Sequence, residues 1–132
     1  MAKMLDRAAI LGASDIQTEI VEVPEWGGAV TVRGLSGKQR AGLEAMLALG
    51  KDGKATPKIL QAFYGALVIE SVIDKEGKHL FEPTDRDALT EKSGAALQHI
   101  IKVAVRLSGL EEAAQDAERE IADDPKDAFT LS

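Results

Sequence analysis

Apolar residues recur along this chain with two different periods. Between Thr18 and Arg33 they alternate: Val21 and Val23 flank Glu22, and Val30 and Val32 flank Thr31. A period of two is the signature of a strand with one covered face, and Pro24, Gly27 and Gly28 between the runs supply turn chemistry, so a β-hairpin is predicted over about 18–33. Downstream the period lengthens. Ser36 with Gln39 three residues later has the spacing of a capping box, and Leu43, Met46 and Leu47 follow at helical intervals, predicting a helix over about 37–49. Thr56 before Pro57 is a second start signal, and Ile59, Leu60, Phe63, Tyr64, Leu67, Val68 and Val72 form one broad apolar face, predicting a central helix over 57–73. A third long helix is expected over 92–107 from Leu97, Ile100, Ile101, Ala104, Val105 and Leu107.

Weaker patterns surround these. Lys3 to Leu11 forms a short helix only if it docks on something larger, because so short a helix is marginal alone. Asp74 to Gly77 reads as a turn, Lys78 to Phe81 as briefly extended, and Pro83 with Thr84 as the start of a short helix through Leu89. Glu111 to Ala122 has helix-forming residues but a thin apolar set of Ala113, Ala114, Ala117 and Ile121, which predicts little tertiary support. Pro125 stops any helix, and 126–132 read as disordered in isolation. The expectation is an α+β fold with one compact domain over 1–110: an N-terminal β-hairpin packed on a small helical bundle. An acidic, flexible C-terminal tail over 111–132, partly helical or disordered, follows it. A two-stranded hairpin is marginal in water, so its valine face needs the helices as a floor.

Charge sharpens that division. The 132 residues carry a net charge of -6. Eight acidic residues against Arg119 and Lys126 place all of that excess after Leu110, so the body is balanced. A balanced body with an acidic tail does not suit a phosphate backbone, whose affinity comes from Lys and Arg displacing counterions. No nucleic-acid partner is therefore expected. No membrane is expected either, because no stretch approaches the roughly 20 apolar residues of a spanning helix and the first residues lack the apolar core of a secretory signal.

The inventory of reactive groups removes most enzyme chemistry. There is no cysteine, and His79 and His99 are isolated from each other and from clear ligand spacing. The run from Gly34 to Gln39 fails as a phosphate loop, because its glycines are too close and Gln39 stands where Ser or Thr must follow the lysine. The acidic run at Asp74 fails as a calcium loop, since its glycine is at the fourth position and no terminal Glu follows. Catalytic, cofactor and metal sites are all expected to be absent. What remains is binding. Trp26 at the hairpin tip either folds back on the sheet or serves as an interface anchor. Phe63, Leu67 and Ile100 on the two long helices are the candidate apolar contacts. Phe129, with Ile121 and Leu131, is the candidate anchor of a tail that folds on a partner.

The ordered run of these segments resembles the tail assembly chaperones of siphophages and related prophages, in their short form. The likeness lies in Val21 to Arg33 with Pro24 and Trp26, Asp74 to Phe81, Leu89 to Ser93 leading into Arg106 to Leu110, and the late Asp124 and Pro125. The resemblance implies masking rather than catalysis. The partner would be the tape measure protein, a long helical chain whose apolar faces aggregate when uncovered. It also implies recruitment of tail tube protein, a frameshifted long form of the same chain as a further partner, a host-cytoplasm location and absence from the finished virion. Homo-oligomerisation stays open. Two other readings stand beside it: a structural virion protein such as a tail completion or connector subunit, and a small carboxylate-based hydrolase.

Overall fold

A computed structural model describes residues 2–123 of the chain. The elements run α1 (Arg7–Leu11), β1 (Thr18–Val23), β2 (Gly28–Arg33), α2 (Gly37–Leu47), α3 (Pro57–Ser71), β3 (Val72–Ile73), α4 (Arg86–Thr90), α5 (Gly94–Leu107) and α6 (Glu111–Ala122). The α+β expectation holds: an antiparallel hairpin lies against a set of helices. The strand order is β1-β2-β3, with Val21 opposite Val30 and Val23 opposite Gly28. Pro24–Trp26 form one 3-10 turn at the hairpin tip, and Gly27 takes φ 73 to close it, a conformation that suits a residue with no Cβ.

The third strand corrects the sequence expectation. The central helix does not run to residue 73. It ends at Ser71, and Val72 and Ile73 turn extended to pair with Val32 and Thr31. Both are β-branched, so little is lost by leaving the helix and a ladder is gained on β2. Asp74 then closes a tight turn by accepting from the Glu76 and Lys78 backbone N–H groups, each at 2.9 Å. The carboxylate that resembled a calcium ligand is committed to that turn, and His79 forms an isolated bridge back to Ile73.

The helix starts follow their caps. Ser36 and Gln39 make the reciprocal capping box at 3.0 and 3.2 Å. Thr56 Oγ1 accepts from the Ile59 N–H, and Ser93 Oγ accepts from the Ala96 N–H, both at 3.2 Å. That second cap sets the start of α5 at Gly94, two residues later than expected, because the cap itself stays outside the helix. The core joins Val21, Val23 and Val32 of the sheet to Phe63, Leu67 and Val68 of α3 and Ile100 and Ala104 of α5. Each of the larger side chains contributes about 1.5–3 kcal/mol by leaving water. Ser108 at the end of α5 is buried yet satisfied, since its Oγ accepts from the Leu35 N–H at 3.1 Å and ties the exit of β2 to α5.

The two ends of the described chain depart from the sequence reading in opposite directions. Every residue of α1 is exposed, so the helix forms without docking, held by Asp6 capping the Ala9 N–H at 2.9 Å. Conversely α6 is not part of a loose tail. It packs on α3 and α5 with Ala114, Ala117 and Ile121 buried, which extends the compact body from 110 to at least 122.

A candidate apolar cleft between α3, α4, α5 and α6

The face of α3 is broader than its neighbours cover. Phe63 and Leu67 point into the core, whereas Pro57, Leu60, Gln61, Tyr64, Gly65 and Val68 line one wall of a cleft of about 430 Å³. Leu89 and Thr90 of α4 close one side, Leu97, Gln98 and Ile101 of α5 form the facing wall, and Ile121 of α6 contributes an edge. The lining is mainly aliphatic, with two glutamines, one threonine and the Tyr64 hydroxyl as its polar side-chain groups. Its volume falls within the range of roughly 300–1,000 Å³ usual for binding clefts. Gly65 leaves room for α4 here: a Cβ would lie 2.8 Å from Arg86 Cγ and 3.3 Å from Thr90 Cγ2, so those side chains would have to shift.

Two carboxylates hold α6 along this cleft. Glu118 accepts from the Tyr64 hydroxyl at 2.6 Å, and Glu120 accepts from the Ala55 N–H at 2.7 Å. Burial and the neighbouring Glu118 charge push the Tyr64 pKa well above its ordinary value, because both oppose forming a phenolate. The other side of α5 is fastened to the hairpin. Arg106 Nη2 donates to both oxygens of Glu19 at 2.8 and 2.9 Å, and His99 Nε2 lies 3.2 Å from Glu25 beside the hairpin tip. These surface pairs fix orientation more than they stabilise.

The five candidate contact residues fare differently. Phe63, Leu67 and Ile100 have no exposed surface, so they build the core and are not available to a partner in this conformation. The apolar periodicity that singled them out does not distinguish the innermost stripe of a helix from its flanks. Trp26 is 38% exposed on the hairpin tip, partly covered and partly presented. Phe129 lies outside the described residues. The four described residues thus form no common exposed patch: three are core and Trp26 stands at the hairpin tip. The cleft instead uses their neighbours Leu60, Tyr64, Leu97 and Ile101. For Leu60 and Tyr64 the available hint was the width of the α3 face, and for Leu97 and Ile101 the spread of apolar residues over more than one side of α5.

A second apolar surface was also missed. Met4, Leu5, Ile10, Leu11 and Ile16 before β1, and Ile20 on its outer face, are all exposed. Among the described residues no cluster of three or more His, Asp or Glu is arranged to hold a metal ion, and no helix is long and apolar enough to cross a membrane.

By its fold the chain is a small α+β domain with an aliphatic cleft and exposed apolar segments. The comparison with known families makes this specific: the chain belongs to the phage tail assembly chaperone family, whose model matches residues 5–120. Among solved structures it is similar to the tail assembly chaperone of bacteriophage HK97, with a TM-score of 0.56 and 20% identity. That match covers 76% of this chain and 94% of the other, and at such identity it speaks for the fold alone. No curated protein sequence matches the chain.

Proposed function

We propose that the protein is an assembly chaperone that binds and solubilises the tape measure protein and helps to bring tail tube subunits to it. Family membership over residues 5–120 is the observation that carries this reading. The cleft supplies a physical means. An amphipathic helix laid against α3 and α5 buries its apolar side chains among Leu60, Leu97 and Ile101, where the lining is aliphatic. Covering apolar helical surface lowers the tendency of a long chain to aggregate before the tube forms around it. The frameshifted long form and the tube protein belong to the same proposal, as does a place of action in the host cytoplasm, away from the finished virion.

Co-expression tests it. A tape measure fragment that is insoluble alone is expected to become soluble and co-purify with this chain, and Leu97→Glu in the cleft is expected to reduce that yield while leaving the circular dichroism spectrum intact. No gain in soluble fragment and no co-purification would overturn the proposal. Stoichiometric amounts of the chain in purified particles would favour a structural subunit instead.

A further inference from the structure

The last turn of α6 sits on the edge of the cleft. Ile121 is one of its lining residues, and Glu120 is bonded to the Ala55 N–H just ahead of Pro57, which lines the same end. The chain therefore leaves α6 at the rim of an apolar opening of about 430 Å³. The segment that follows, Asp124 to Ser132, is polar and small apart from two large apolar side chains, Phe129 and Leu131. Pro125 has no N–H with which to continue the ladder of α6.

Distance permits contact along the whole cleft. The eight residues from Ile121 to Phe129 reach at most about 29 Å when extended. The α3 wall from Pro57 to Val68 is roughly 17 Å long at a helical rise of 1.5 Å per residue. A short tether also raises the effective concentration of its end to the order of millimolar, so contacts too weak to hold a separate peptide suffice within one chain.

We propose that the segment Asp124–Ser132 docks in the cleft of its own chain, seating Phe129 against Leu60, Leu97 and Ile101. It acts as an intramolecular plug that an incoming apolar helix displaces. The plug keeps an aliphatic opening covered until a partner arrives, which limits non-specific association. Occupation of the cleft by this segment is a property of the chain alone; only the displacement step rests on the chaperone reading.

The absence of cysteine makes a clean test. A nitroxide attached to Ser132→Cys is expected to broaden the backbone amide signals of Gln61, Leu97 and Gln98 strongly, and Phe129→Ser in the same labelled chain is expected to restore them. Equal broadening with Phe129 and with Ser would show proximity from the tether alone and overturn the plug. So would broadening found only between molecules in a mixture of labelled and isotope-enriched chains, which would assign the cleft to a second copy. As an independent readout, Phe129→Ser without the label is expected to raise the fluorescence of the apolar dye ANS several-fold, and an unchanged signal would count against docking. No tape measure protein enters these measurements, so their failure leaves the chaperone reading standing, and failure of co-expression leaves the plug standing.

Discussion

The two terminal helices, α1 and α6, exchange the roles that their compositions suggest. The region of α1 carries Leu5, Ile10 and Leu11 and lies wholly exposed, whereas α6 carries mainly alanine on its inner face and is docked. Small side chains are the reason that α6 fits. Ala114 and Ala117 let its backbone approach α3 and α5, and Leu110 and Ile121 anchor its two ends. Glu118 and Glu120 then add directed hydrogen bonds from α6 itself. By contrast α1 has apolar side chains that no described residue covers. Hydrophobicity thus measures the free energy available from burial, while docking requires a partner surface of matching shape.

Four changes test this contrast, the most damaging first. Leu110→Ala removes a side chain with no exposed surface where α6 joins the body, and large-to-small changes of this kind cost about 2–5 kcal/mol. A fall in Tm of many degrees is expected, and a shift within error would mean that α6 is not integral to the fold. Gly109→Ala comes next. Gly109 takes φ 67 in the turn between α5 and α6, where a Cβ costs about 1–2 kcal/mol, so urea denaturation should show a lower midpoint with an unchanged slope.

Tyr64→Phe deletes only the bond to Glu118. The expected loss is about 0.5–1 kcal/mol, since Glu118 is exposed, and it should be seen as faster hydrogen exchange confined to α6. Tyr64 is the sole tyrosine, which makes its alkaline titration readable by phenolate absorbance. Its folded pKa is raised, so the neutral phenol is the form that the fold favours. The associated stability is complete below the ordinary tyrosine value of about 10 and is lost as pH rises above it. Phenolate absorbance should therefore appear later than in the unfolded chain, and Glu118→Gln should bring it earlier. An ordinary titration in the native protein would show that the Tyr64–Glu118 contact does not form. The smallest effect is assigned to Leu11→Ala, within about 0.5 kcal/mol, as for an exposed surface change. A loss comparable to that of Leu110→Ala would mean that α1 packs on something after all.

Much of the scaffold was legible because its signals are local. The valine alternation, the Ser36–Gln39 box, Thr56 with Pro57 and the Asp74 turn each act over four or five residues, and each stands in the structure where the spacing put it. The cleft was less legible. Leu60, Tyr64, Leu97 and Ile101 are indistinguishable by pattern from the adjacent Phe63, Leu67 and Ile100, because both groups recur at three and four. Which stripe becomes core depends on where the sheet lands.

By itself, then, the sequence determined the hairpin, the starts of α2 and α3 and the lack of cysteine, since backbone preference, capping and inventory are properties of short stretches or of counting. Only the tertiary structure decided that Val72 and Ile73 leave α3 to pair with β2, that α6 joins the body while α1 does not, and that the flank of α3 lines a cleft among the described residues. Those outcomes depend on non-local surfaces meeting: an unpaired edge of β2 for the strand, a groove that admits alanine for the helix, and a cleft at Leu60 and Leu97 that α4, α5 and α6 border without filling.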